Sequence, residues 1–113
     1  MAGPTYEVTV SNGVVFNNTG AAATADDATP SIANIETLTT PANTGATEIT
    51  QLDDAAAYQR ITIICTSSTN APTITDGGNF ALSASWAPAA GDTLTLITIT
   101  GTAWYEISRS TNA

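Results

Sequence analysis

The chain has no histidine, no lysine, two arginines and one cysteine among its 113 residues. Without histidine, the commonest general base and metal ligand is missing, and one cysteine cannot complete a zinc site. Cys65 also cannot form an internal disulfide, and we expect a buried, inert thiol. Because ten acids give a net charge of −8, direct binding to nucleic acid or to an anionic membrane surface is excluded.

Long apolar runs and large apolar side chains are also scarce. No run approaches the roughly 18 residues that a membrane-spanning helix requires. The N-terminal sequence MAGPTYEVTV lacks the basic region and apolar core of a signal peptide, so we expect synthesis and retention in the cytosol. Only 6% of the residues are aromatic, and much of the apolar fraction is alanine. This shortage of core residues favours burial through oligomerisation.

The residues that are abundant favour strands. Thr, Ile and Val dominate the patterned stretches, and β-branched side chains pack well on pleated surfaces but lose rotamer freedom in helices. Turn residues recur at intervals of roughly ten residues, which is the spacing of short strands. The sequence therefore predicts an all-β fold of short stacked strands, β-helix-like or β-prism-like, although a jelly roll would have similar spacing.

The last quarter of the chain carries the clearest local signal. A turn at Gly91-Asp92 opens the strand-like run 93–100, and residues 100–102 turn the chain back into 103–108. Two β-rich runs separated by a short connection that contains glycine predict a hairpin.

Two of the strand-like runs place large apolar side chains on both faces. Ile64 faces away from the other apolar residues of its run, and Ile97 and Ile99 face away from Leu94 and Leu96. Either a bulge between Leu96 and Ile97 restores the alternation, or the second face packs against a neighbouring subunit.

The first 30 residues differ in composition from the rest. They contain an alternating run, Tyr6–Val10, a second apolar run at 13–16, and then a small, polar segment at 21–30. That segment is typical of an extended linker, or of an arm that becomes ordered on a partner. We therefore divide the chain into an N-terminal arm at 1–30 and a β-rich, trimerising domain at 31–113.

The carboxylates are the remaining candidates for catalysis. The ones considered are Asp26, Asp27, Asp53, Asp54, Asp76 and Asp92. Adjacent acids in a strand face opposite sides, and Asp76 and Asp92 lie beside glycines, where aspartate commonly supports turn geometry. No dense calcium-binding loop occurs. We expect no enzyme activity, no cofactor and no metal.

A resemblance adds a function. Residues 91–110, GDTLTLITITGTAWYEISRS, resemble a C-terminal module of many bacteriophage structural proteins. The match covers about residues 35–110 in pattern and 72–110 in detail, and it includes 43–45 and 73–80 with Leu82. The resemblance implies a β-helical or β-prism homotrimer on the virion surface. It favours a capsid decoration (cement) protein that binds the major capsid protein. The alternative is a tail-fibre or spike tip that binds a host receptor through exposed aromatics, with Trp86 first among them.

Two sets of residues are predicted to make these contacts. The capsid contacts, on the N-terminal arm, are Tyr6, Val8, Val10, Val14 and Phe16. The trimer interface comprises Ile64, Phe80, Leu82, Ile97, Trp104 and Arg109. Trp104 either caps the open end of the β-stack or is an ordinary core residue. Arg109 pairs with Glu106 or with an acid of a neighbouring subunit, unless it remains solvated.

Overall fold

The computed structural model describes residues 19–113. These residues form six strands and no helix, which confirms the predicted all-β class. The strands are β1 (Gly20–Ala22), β2 (Thr37–Thr40), β3 (Arg60–Cys65), β4 (Phe80–Ala81), β5 (Thr93–Thr98) and β6 (Trp104–Ser110). They form one mixed sheet in the order β1-β2-β3-β5-β6-β4. Within the described range, no helix could cross a membrane.

The first half of the sheet is parallel. β1 pairs with β2, and β2 with β3, so that Leu38 lies between Ala21 and Ile63. The segments that connect these strands also pair in parallel, at Ser31 with Asp53 and at Glu48 with Thr73. Parallel strands require a crossover, and here the crossovers are irregular segments rather than helices. Successive passes of the chain are therefore stacked on one another at several places along their length.

The second half of the sheet is antiparallel. β5 pairs with β3 on one side and with β6 on the other, so the predicted C-terminal hairpin is confirmed. Gly101, in the connecting turn, has a φ of 97°, and its N–H donates to Oγ1 of Thr98 at 2.8 Å. The hairpin also covers the edge of β3 that the parallel strands leave open.

The strands bury alternate side chains, as half-buried strands do. The buried apolar core comprises Ile32, Leu38, Ile49, Leu52, Ile61, Ile63, Cys65, Ile74, Phe80, Trp86, Leu94, Leu96 and Trp104. The predicted faces are confirmed, because Ile64 and Ile97 lie on the opposite side from the core residues of β3 and β5.

The predicted bulge in β5 is wrong. β5 pairs with β3 without interruption, and its alternation stays in phase from Thr93 to Thr98. The irregularity instead falls on β6, where Ile107 is an extra residue between Glu106 and Ser108. Sequence alternation in β5 could not reveal it, because the bulge belongs to the partner strand.

Residues 21–30, the small, polar segment at the end of the N-terminal arm, contribute to β1 and to the loop that follows it. Ala23 N donates to Thr39 O at 2.8 Å just after β1, and Pro30 is buried. Composition gave no sign of this because β1 exposes all three of its side chains and is held by backbone hydrogen bonds.

Candidate interaction surface

The face of the sheet opposite the core, called here the outer face, is rich in threonine and isoleucine. Its side chains alternate with the buried ones along β2, β3 and β5. They are Thr37 and Thr39 of β2, Arg60, Thr62 and Ile64 of β3, and Thr93, Thr95 and Ile97 of β5. The hydroxyls of Thr62 and Thr95 lie 3.0 Å apart and hydrogen-bond across the two strands. Such a face is ordered before it meets any partner.

One end of the outer face is apolar. Ile97 lies opposite Tyr105 of β6, which is 46% exposed, and Ile99, just beyond β5, is 50% exposed. Tyr58, which is 73% exposed, comes two residues before β3. The backbone bond from Thr98 N to Gln59 O, at 3.0 Å, brings Tyr58 beside the end of β5. We call Tyr58, Ile97, Ile99 and Tyr105 the apolar patch.

The backbone at Tyr58 is strained. Its φ of 64° lies in the left-handed region, which costs a non-glycine residue about 1–2 kcal/mol. Gln59 holds the loop in this shape, because its Nε2 donates to the carbonyls of Ile32 and Ile35, both at 2.9 Å. Its Oε1 accepts from Ala56 N at 2.8 Å. These hydrogen bonds maintain the strained backbone at the exposed Tyr58.

The two arginines have different roles. Arg109 forms the ion pair found among residues 19–113, with Glu106 at 2.8 Å. Arg60 is exposed on the outer face, opposite Ile97, and has no ion pair within that range. The apolar patch is therefore accompanied by a positive charge, although the whole chain carries a net charge of −8.

The Glu106–Arg109 pair joins β6 to the segment that follows β4. Both N and Oγ of Ser83 donate to Oε1 of Glu106, and Arg109 Nη2 donates to the carbonyl of Ala84 at 2.6 Å. The hydrogen bond from Arg109 lowers the pKa of Glu106 from 4.5 to about 2, and the same bond raises the pKa of Arg109. The prediction that Arg109 pairs with Glu106 is confirmed.

The aspartates order loops. Asp26 accepts from N and Oγ1 of Thr44, both at 2.8 Å, and the hydroxyl bond is the main cause of its lowered pKa. The pKa of Asp92 is lowered chiefly by the hydrogen bond from Ala89 N and then by that from Asn112 N. Asp76 Oδ1 accepts from Leu82 N at 2.9 Å. The predicted turn role of Asp76 and Asp92 is confirmed. The described residues contain no cluster of three potential metal ligands.

The structure separates the residues predicted for the trimer interface. Ile64 and Ile97 share the outer face. Trp104 is completely buried and Phe80 nearly so, and they are therefore core side chains with almost no surface to offer a partner. Of the two roles predicted for Trp104, the structure supports that of an ordinary core residue. Its Nε1 donates a hydrogen bond to Gln51 Oε1 at 3.2 Å.

The remaining predicted residues lie elsewhere. Leu82 is half-buried and packs against the core, and Arg109 is held by Glu106. The capsid-contact residues lie outside the described residues; they are Tyr6, Val8, Val10, Val14 and Phe16.

Sequence reasoning did not select Tyr58, Ile99 or Tyr105 as interface residues. Strand alternation could have identified Tyr105, because neighbouring residues face opposite sides and Trp104 faces the core. The same alternation, counted from the core residue Leu96, places Ile99 on the outer face. Tyr58 precedes β3 in an irregular loop, and no sequence pattern marked it as exposed.

Comparisons of the chain with protein families, with curated proteins and with solved structures found no match.

Proposed function

We propose that this protein is a bacteriophage capsid decoration protein, which binds the outer surface of the head as a homotrimer and stabilises it by bridging capsomers. The observation that carries the proposal is the outer face, which presents a preformed apolar patch on a small, acidic, all-β domain. The stacked parallel passes support it, since the β-helical or β-prism module that residues 91–110 resemble is built from stacked strands. The carboxylates of Asp26, Asp76 and Asp92 accept hydrogen bonds from loop backbone, which favours a structural role over catalysis.

Two parts of the chain have separate roles in this proposal. The β-rich domain at 31–113 supplies self-association, and the N-terminal arm at 1–30 supplies the contact with the major capsid protein through Tyr6, Val8, Val10, Val14 and Phe16. Three copies that bind together would compensate for weak individual contacts. The acidity of the chain suits a basic patch on the capsid and keeps the free protein soluble.

Copy number in the virion tests the proposal first. Quantitative mass spectrometry of purified virions would give the ratio of this protein to the major capsid protein. A ratio near one, or a fixed simple fraction of it, is expected for a protein that covers the lattice. Absence from virions would overturn the proposal.

A capsid-binding assay tests whether the N-terminal arm makes the contact with the capsid. A full-length variant with the five predicted contact residues of the N-terminal arm changed to serine should not co-sediment with undecorated capsids. As the matched control, Ile49→Val in the domain core should co-sediment like the wild type. Equal binding by the serine variant and the wild type would refute the contact role.

A tail-fibre or spike tip remains the second candidate. The aromatic residue first expected to serve it, Trp86, is the wrong one, because this side chain is buried with 3% exposed. The exposed Tyr58 and Tyr105 favour it instead, since aromatic rings with a polar tip are common at binding surfaces. A copy number of a few per virion would select this candidate.

A further inference from the structure

We propose that copies of this chain associate through the outer face of β3, β5 and β6, with the apolar patch buried and Arg60 paired with a carboxylate of the neighbouring copy. The inference depends on the self-association in the proposed function but not on a capsid as partner. It replaces most of the residues predicted from the sequence with Tyr58, Arg60, Ile97, Ile99 and Tyr105.

The patch is an unusual feature for the exposed side of an antiparallel hairpin. That side normally carries polar residues, while the other side faces the core. Here the polar alternation holds for Thr93 and Thr95 and then ends at Ile97, Ile99 and Tyr105. Along β5 the outward residues change from threonine to isoleucine, whereas on β3 Ile64 lies opposite Thr93 and Arg60 opposite Ile97. The exposed apolar side chains of Ile97, Ile99 and Tyr105 fit a partner that covers them.

Charge identifies the partner as acidic. Arg60 lies opposite Ile97 and makes no ion pair with a residue in the range 19–113. When the patch is covered, this guanidinium loses water and needs a carboxylate, because an unpaired buried charge is strongly unfavourable. A second copy meets that need, since each chain carries ten acids. Glu48 and Asp53 are exposed members of that set.

In a trimer, three such faces would meet around the three-fold axis, so that each outer face packs against both neighbouring copies with its side chains interdigitating. Three strands of about six residues present roughly 300 Å² in projection, from strand spacings of about 4.8 Å and rises of about 3.4 Å. Stable interfaces bury about 800 Å² per partner. Because this face offers less, the association should be weak and should become populated only at high protein concentration.

The salt dependence of binding distinguishes a second copy of this acidic chain from a basic partner. Two copies with a net charge of −8 each repel one another, and salt screens that repulsion while leaving apolar burial intact. Self-association through the patch is therefore expected to strengthen as ionic strength rises. Binding of the acidic chain to a basic surface is expected to weaken.

The test is the mass of the full-length protein in solution, measured by sedimentation velocity over a range of protein and salt concentrations. For the wild type, the fraction of protein in oligomers should increase with protein concentration and with salt concentration. The double variant Ile99→Ser, Tyr105→Ser should be monomeric with unchanged circular dichroism. Thr75→Ser is the control, because Thr75 is exposed and lies outside β3, β5 and β6.

Arg60→Glu keeps the proposal testable if the double variant does not fold. Arg60 is exposed and unpaired among the described residues, so its reversal should leave folding intact and raise the dissociation constant at least about tenfold. A monomeric wild type under every condition would overturn the inference. Oligomers unaffected by both the patch and Arg60 variants would overturn it too, but would leave the trimer of the proposed function standing. Copy number in virions tests the capsid role independently of either result.

Discussion

Nε of Arg109 lies 2.8 Å from Oε2 of Glu106, although residues three apart in a regular strand face opposite sides of a sheet. The two side chains share a face because the bulge inserts Ile107 between them. On that face they bind the backbone of Ser83 and Ala84. One extra residue in β6 thus fixes the segment that follows β4.

Replacing Glu106 with glutamine should destabilise the fold. The carboxylate accepts four hydrogen bonds, two of them from the Arg109 guanidinium, whereas a carboxamide would turn its own N–H₂ towards donors. The free energy of unfolding should fall by about 1.5–3 kcal/mol, as for a hydrogen bond to a charged group. Urea denaturation measures it, with Glu48→Gln at an exposed carboxylate as the control. Equal stability of both variants would mean that the pair contributes nothing.

The same pair should make stability depend on pH in the acid range. Because the pKa of Glu106 is lowered from 4.5 to about 2 on folding, its contribution is complete above pH 4.5 and is lost as the pH falls towards 2. Asp26 and Asp92, whose pKa values are also lowered, act in the same direction. The stability difference between wild type and Glu106→Gln should therefore be constant near neutrality and shrink on acidification. Urea midpoints measured at successive pH values test this, and a constant difference would contradict it.

Replacing each of two buried threonines with valine should change the free energy of unfolding in opposite directions. Oγ1 of Thr40 has no hydrogen-bond partner among the residues described, so Thr40→Val should raise the unfolding free energy by about 1 kcal/mol. Oγ1 of Thr98 donates to Ala103 O at 2.7 Å and accepts from Gly101 N, so Thr98→Val should cost about 1–3 kcal/mol. Unfolding followed by the fluorescence of Trp86 and Trp104 gives both values. Destabilisation by Thr40→Val would show that its hydroxyl is satisfied.

Gly101 should not tolerate a side chain. Its φ is 97°, and a Cβ atom there would lie 2.9 Å from the carbonyl oxygen of Ala55. Gly101→Ala should cost about 1–3 kcal/mol, since strain and a backbone contact act together. Gly45→Ala is the control, because a Cβ there has no neighbour within 4 Å. Thermal denaturation compares the two, and similar melting temperatures would refute the argument.

The predictions that the sequence supported best were local ones. β-Branched alternation predicted the buried faces of β3 and β5, because a period of two assigns every second side chain to one side. The Gly91 and Gly101 turns predicted the hairpin. The aspartates beside glycines were placed correctly in turns, since that chemistry involves only nearby backbone groups.

The interaction surface was only partly predictable. Ile64 and Ile97 follow from alternation, but Phe80 and Trp104 were selected as interface residues because a large apolar side chain looks the same in a core and in an interface. Tyr58 owes its position to the hydrogen bonds of Gln59 and to pairing with β5, and these partners are remote in sequence.

By itself, the sequence determined the all-β class, the hairpin, the inward side chains and the absence of histidine chemistry, because each depends on residue type and short-range periodicity. Only the tertiary structure decided that β1 joins the sheet, that β3 pairs with β5, and that Ile107 brings Glu106 and Arg109 to one face. These features depend on which distant strands pair and in what register. Many registers satisfy the same alternation of apolar residues, and the packing of the whole chain selects one of them.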